Sequence, residues 1–135
     1  AKAFVDRLAA PAFEFAIDRI AEQVVFADGT TLTDANFKIV MALLDDFRSS
    51  KAEGRDVPFL RVHDLADRIG VADQSLRTQL TRLRDALEPL TVSLCLVLDQ
   101  DSFVENRPRV GYRLNPALRE LSLGDIRTTG PTKKP

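Results

Sequence analysis

The chain has 135 residues, 44% of them hydrophobic and 29% charged, and a formal net charge of −1 at pH 7. A single domain of this length buries enough apolar surface to fold without a disulfide or a structural metal. The balance of 19 basic against 20 acidic residues excludes a strongly basic nucleic-acid binder, so any DNA-binding charge has to be concentrated on one face.

The composition also bears on the compartment. Cys95 is the only cysteine, so no internal disulfide can form, which fits a reducing environment. No apolar run approaches the ~18–20 residues of a membrane span, and no signal peptide is recognised. We therefore expect a cytoplasmic protein without a membrane partner.

The first third of the chain has the pattern of a small antiparallel β-meander. After an amphipathic lead over residues 1–12, apolar and polar residues alternate from Phe13 to Asp18, which predicts a strand with one buried face. A second short strand is predicted at 23–26. Asp28-Gly29 then marks a turn into a returning strand, so the predicted sheet covers residues 13–32.

The middle of the chain is predicted to be helical. Apolar residues at helical spacing indicate a helix over 34–48, capped by Thr33 or Asp34. A polar segment with a glycine and a proline follows it and predicts a loop. Residues 62–70 indicate a short helix that ends at Gly70 in a left-handed C-cap.

A second helix follows the glycine turn directly. Four leucines at steps of four, three and four residues form one face of it: Leu76, Leu80, Leu83 and Leu87. Asp73 is its expected N-cap, and Pro89 is expected to end it. Two helices joined by a short glycine turn are typical of a helix-turn-helix unit, predicted here over 62–88.

The last third is predicted to contain three strands. The apolar run 92–98 indicates a buried strand, and two more strands are joined by Arg107-Pro108-Arg109 into a hairpin, so strands and hairpin cover 92–114. Residues 117–121 are expected to close the domain, which then extends over 13–121. The tail at 122–135 is rich in glycine, threonine, proline and lysine and is expected to be disordered.

Three stretches together resemble a known family. Residues 29–37 contain a Leu-Thr pair followed by a phenylalanine early in a helix, 81–87 read Thr-Arg-Leu-Arg-Asp-Ala-Leu, and 104–114 end in Gly-Tyr-Arg-Leu. In this order they resemble the OmpR/PhoB-type winged-helix domain of bacterial regulators. We therefore expect an α+β fold: a winged helix-turn-helix with an N-terminal antiparallel β-meander, three helices and a C-terminal β-hairpin wing.

The resemblance implies transcriptional regulation by binding double-stranded promoter DNA, commonly as tandem dimers, with RNA polymerase as a further partner. Family members usually have a longer loop before the recognition helix than the tight turn at 70–73. They also usually have a polar connection where this chain has the apolar run 92–98.

The DNA hypothesis gives each candidate residue a role. In the major groove, the N-terminal half of the recognition helix would read base edges and its flanks would hold phosphates. The base-reading candidates are Gln74, Thr78 and Arg82, and the phosphate-binding candidates are Ser75, Arg77 and Thr81. Arg107 and Arg109 at the wing tip would enter or border the minor groove. Arg113 is expected to point back and pair with an acid.

Each of these features has an alternative explanation. The polar side of the 73–88 helix is also what a solvated surface helix presents, and Asp85 on it favours that interpretation. Arginines at a hairpin tip also discourage edge-to-edge pairing of strands. The neutral net charge and the apolar run 92–98 are compatible with a winged-helix module for protein interaction or dimerisation, without DNA binding.

Catalysis finds no support in the sequence. His63 is the only histidine, and Cys95 lies within Leu-Cys-Leu, the setting of a buried hydrophobic residue. No Cys/His cluster has metal-ligand spacing, and no glycine-rich phosphate loop is present. We expect a protein that is not an enzyme and needs no metal or cofactor.

Overall fold

The computed structural model describes residues 14–90 and 102–128 of an α+β protein. The predicted α+β class is confirmed. The elements follow in the order β1 (Glu14–Asp18), β2 (Gln23–Phe26), β3 (Thr31–Leu32), α1 (Asp34–Glu53), α2 (Val62–Ile69), α3 (Asp73–Ala86), β4 (Val104–Arg107), β5 (Gly111–Leu114), β6 (Arg119–Glu120) and α4 (Leu123–Thr128). The lead at 1–12 and the strand predicted at 92–98 lie outside the described residues.

The N-terminal strands form an antiparallel meander within a mixed sheet of strand order β3-β2-β1-β6. The fourth strand, β6, comes from near the other end of the chain and pairs parallel with β1, opposite Glu14 and Phe15. Arg48 of α1 fixes it there, because its guanidinium donates to both carboxylate oxygens of Glu120 at 2.8 and 2.5 Å. Such a bidentate pair gives geometric specificity as well as energy.

Both faces of this sheet are buried, so the prediction of one buried face for β1 is wrong. Phe15 packs into the main core, whereas Ala16, Val25 and Ile126 form a second cluster on the other face. Ile126 belongs to α4, so the prediction of a disordered tail is wrong for residues 123–128. Burying Ile126 and the back of β1 and β2 offsets the cost of ordering this short helix.

Helix α1 is the element on which the others pack. It contacts α2, α3, β2 and β5, and its buried stripe consists of Ile39, Val40, Leu43, Leu44 and Phe47. The helix continues to Glu53, five residues beyond the predicted end at 48, and stops at Gly54, whose φ of 69° is left-handed. The sequence did not predict the last turns because their residues are polar, and an exposed final turn needs no apolar periodicity.

The leucine face predicted for α3 is confirmed: Leu76, Leu80, Leu83 and Leu87 are all buried. Gly70 ends α2 with a φ of 87°, as predicted for a left-handed C-cap. The N-cap of α3 is Ala72 rather than Asp73, and no side chain caps the helix. The leucines rather than a cap therefore hold α3 in place.

The β4–β5 hairpin is tied to the segment before α2. Leu60 exchanges two backbone hydrogen bonds with Tyr112, of 2.7 and 2.8 Å, so this segment lies alongside β5. The approach is close at Gly111, where φ is 145° and an added Cβ would lie 2.3 Å from the carbonyl oxygen of Leu60. Only glycine fits both the conformation and the space.

We predict that Gly111→Ala lowers the free energy of unfolding by about 2 kcal/mol or more, since it adds a backbone clash to a strained φ. Gly124→Ala is the matched control: this helical glycine has nothing within 4 Å of an added Cβ, and we expect no loss of stability. Urea denaturation measures both. A Gly111→Ala protein as stable as the control would contradict the assigned packing.

Candidate nucleic-acid interface

Helix α3 carries the predicted DNA-contacting side chains on its exposed side. These residues are all exposed: Gln74, Ser75, Arg77, Thr78, Thr81 and Arg82. The buried leucine side of α3 packs on α1 and α2. The structure therefore brings the six residues together on one accessible helix surface, which we call the α3 face.

The β4–β5 hairpin carries the other two predicted residues, Arg107 and Arg109, and both are exposed. The N–H of Val110 donates to the carbonyl of Arg107 at 2.9 Å, which closes a tight turn around Pro108 and Arg109. Arg109 has a φ of 68°. A turn with a proline in its second position and a positive φ in its third normally has glycine or asparagine there. Arg109 therefore holds the tip position at a conformational cost.

The arginines on α3 and at the end of the hairpin differ from most of the others in their charge partners. Six arginines each form an ion pair: Arg113 in the hairpin, and Arg48, Arg55, Arg68, Arg119 and Arg127 on the rest of the protein. Within residues 14–90 and 102–128, seven others have no carboxylate within 4.0 Å: Arg19, Arg61, Arg77, Arg82, Arg84, Arg107 and Arg109. Five of these seven unneutralised guanidiniums thus lie on α3 and the hairpin.

Arg113 is excluded from this group, because the prediction that it pairs with an acid is confirmed. Its guanidinium, in a side chain that is 10% exposed, donates to Glu105 at 2.8 Å and to Asp56 at 2.9 Å. It also donates to the carbonyl of Val57 at 2.8 Å. These bonds join β5 to β4 and to the loop before α2, so Arg113 has a structural role.

Phe59 and Arg61 are two residues that the sequence did not single out. The ring centroid of Phe59 lies 4.2 Å from the guanidinium carbon of Arg113 and 4.6 Å from that of Arg107. Arg61 is exposed at the N-cap of α2. No sequence signal identified the aromatic contact, because Phe59 lies far along the chain from both arginines.

His63 of α2 connects this helix to the N-terminal end of α3. Its ring Nδ1 lies 3.3 Å from a carboxylate oxygen of Asp73, and Nε2 lies 3.6 Å from one of Asp67. The hydrogen bond to Asp73, followed by the charges of Asp67 and Asp73, raises the pKa of His63 above its usual value of 6.5. When it is protonated, the ring therefore offsets the carboxylate of Asp67 on α2 and that of Asp73 at the N-terminal end of α3.

The candidate site offers no metal-binding arrangement in the parts of the chain that are described. There, no three His, Cys, Asp or Glu side chains are close enough together to hold an ion. None of the described helices has the length and apolarity to cross a lipid bilayer. Cys95 and its neighbours lie outside the described residues.

Comparisons with protein-family models, with curated proteins and with solved structures found no match to this chain.

We predict that His63 titrates above pH 6.5 and that Asp73→Asn lowers its pKa. Because folding raises the pKa of His63, its protonated ring stabilises the folded state. This stabilisation is complete below about pH 6.5, and it disappears as the pH rises through the pKa of the folded protein. NMR titration of this single histidine measures both proteins, with Asp85→Asn as a control on the same helix. A wild-type pKa at or below the usual value would contradict the pairing.

A second prediction concerns the turn conformation of Arg109. Arg109→Gly should raise the free energy of unfolding by about 0.5–1 kcal/mol, because glycine adopts a positive φ without a steric penalty. Arg77→Gly, which removes the same charge from the interior of α3, should instead cost about 1 kcal/mol. Urea midpoints distinguish them. Destabilisation by Arg109→Gly would show that the arginine makes contacts that outweigh its strain.

Proposed function

We propose that this chain binds double-stranded DNA sequence-specifically, as a winged helix-turn-helix domain of the OmpR/PhoB type that regulates transcription. One observation carries the proposal: five of the seven unpaired arginines of the described residues lie on α3 and the hairpin, and only Arg19 and Arg61 lie elsewhere. Every ion-paired arginine other than Arg113 lies away from these elements. Such local concentration is what a protein of net charge −1 needs in order to attract phosphates.

The arrangement of the elements supports the same function. In this proposal α2, the turn at Gly70 and α3 are the helix-turn-helix, and the hairpin after α3 is the wing. The segment around Leu60 bonds to β5 and leads directly into α2, which ties the wing to the helix-turn-helix. Both units also rest on α1, so their spacing is set before DNA binds.

The α3 face would lie in the major groove. Helix α3 has 14 residues and is therefore about 21 Å long, which exceeds the major groove's width of about 12 Å. Only part of the helix would therefore lie close to the bases. In helix-turn-helix proteins this part is the N-terminal half. Gln74, Thr78 and Arg82 would contact base edges. Ser75, Arg77 and Thr81 would bond to phosphates, which fix the register without specifying sequence.

The hairpin would extend the contact to the neighbouring minor groove. Arg109 projects from the tip turn, whose strained conformation is compatible with a functional requirement for a cation there. Guanidinium groups favour narrow A·T-rich minor grooves, where the negative potential is strongest. RNA polymerase contact and tandem dimers, which the family resemblance implies, stay predictions.

The test begins with selection of bound duplexes from a random DNA pool, followed by binding of the selected duplex at several salt concentrations. We expect the logarithm of the affinity to fall with that of the salt concentration with a slope of about −3 to −5, since each neutralised phosphate contributes about −0.9. Arg82→Ala/Arg109→Ala should abolish retention on this duplex.

Arg55→Ala/Arg119→Ala is the matched control, because it removes the same charge from two exposed, ion-paired positions on the body. This control should bind nearly as well as the wild type. Equal affinity of wild type and of the Arg82/Arg109 variant would exclude the proposed contact surface. If no duplex is selected and light scattering shows a stable oligomer, the chain is a winged-helix interaction module instead.

A further inference from the structure

The two arginines of the hairpin occupy different surroundings. Arg109 lies in the tip turn, whereas Arg107 is the last residue of β4 and its guanidinium carbon lies 4.6 Å from the ring centroid of Phe59. We propose that Phe59 holds Arg107 as a preformed clamp for a DNA backbone phosphate, and that only Arg109 enters the groove. This inference rests on the proposed DNA-binding function.

Phe59 also contacts a second cation. The bonds between Leu60 and Tyr112 place Phe59 beside the next residue of β5, Arg113, whose guanidinium carbon is 4.2 Å from the ring centroid. Arg113 in turn is fixed by Glu105 and by the carbonyl of Val57. The ring therefore contacts a buried cation whose own donors are hydrogen-bonded, and it offers Arg107 an aromatic surface that this cation holds in place.

The opposite position on β5 leaves Arg107 room to reach this surface. Arg107 is paired with Gly111 across the hairpin, and glycine presents no side chain there. No substituent on that residue separates Arg107 from the segment that carries Phe59. Gly111 thus serves two purposes, since it also permits the close approach of Leu60.

Contact with an aromatic ring prepares a guanidinium for anions. The ring attracts the cation and restricts the rotamers of its long side chain, while the N–H donors lie in the guanidinium plane and stay accessible. Arg107 forms no ion pair within the described part of the chain, so these donors are not occupied by a carboxylate. The ordering entropy is lost on folding instead of on binding.

The same geometry argues for phosphate as the ligand instead of a base edge. A side chain that lies back over Phe59 cannot also extend past the hairpin tip into a groove. Its planar fork matches two oxygens of one phosphate, which it can bind from the outside of the duplex. Such a contact is independent of DNA sequence and adds one unit to the count of neutralised phosphates.

The experiment measures binding to the selected duplex and to a scrambled duplex over a range of salt concentrations. Arg107→Ala should weaken both by the same factor, about three- to tenfold, and reduce the magnitude of the salt slope by about 0.9. Arg109→Ala should weaken the selected duplex more than the scrambled one. The division of roles would be overturned if Arg109→Ala weakened binding to both duplexes by the same factor. It would also be overturned if Arg107→Ala weakened binding to the selected duplex alone.

The positioning role of Phe59 is tested by a double-mutant cycle. Phe59→Leu should weaken both duplexes in the same way as Arg107→Ala but less, Phe59→Tyr should retain wild-type binding, and Phe59→Leu/Arg107→Ala should bind no worse than Arg107→Ala alone. Additive losses, or wild-type binding by Phe59→Leu, would overturn this role.

A measurement without DNA keeps the proposal falsifiable if Phe59→Leu folds poorly. The ring should shift the NMR resonance of the Arg107 Nε–H in the wild type and in Phe59→Tyr. An unshifted resonance in the folded wild type would contradict the clamp. If Arg82→Ala/Arg109→Ala retains full affinity, the DNA-binding function itself fails. If that variant loses binding while Arg107→Ala does not, only the clamp fails.

Discussion

The buried guanidinium of Arg113 is the interaction on which the hairpin depends. A buried charge is tolerated only when its donors are matched, and here Glu105 and the carbonyl of Val57 match them. Asp56 adds little, because its side chain is 81% exposed. Since these partners belong to β4 and to the loop before α2, one side chain holds three segments together. The hairpin arginines acquire their positions from that junction.

Helix α1 supplies the second constraint. The candidate helix α3 and the hairpin strand β5 both pack on it. The sheet is joined to the same core by aromatic contacts: Phe103 packs edge-to-face on Phe15 and Phe26, and Phe15 also contacts Phe47 on α1. A displacement of α1 would move both candidate DNA-contacting units together. The spacing between them is thus a property of the core and not of the surface that would meet DNA.

Local patterns predicted most of the elements, and long-range contacts account for what they missed. The leucines of α3 and the glycine that ends α2 have sequence periods and backbone preferences of their own, so they were predictable. Strand β6 has two residues and no period, and it exists because β1 offers it an edge. Phe59 likewise gains its importance from Arg107 and Arg113. Ser122, whose hydroxyl accepts from the N–H of Asp125 at 3.1 Å, was an overlooked signal for α4.

The pairing of β6 with β1 has a consequence for the order of folding. The first and the last strands of the described chain are neighbours, and α4 covers the face that they share with β2. During synthesis the N-terminal meander leaves the ribosome long before its fourth strand and its covering helix. The helical core of local contacts can assemble early, whereas completion of the sheet must wait for the C-terminal segment. Until then Ala16 and Val25 lack the contact with Ile126, and the edge of β1 that pairs with β6 is open to incorrect pairing.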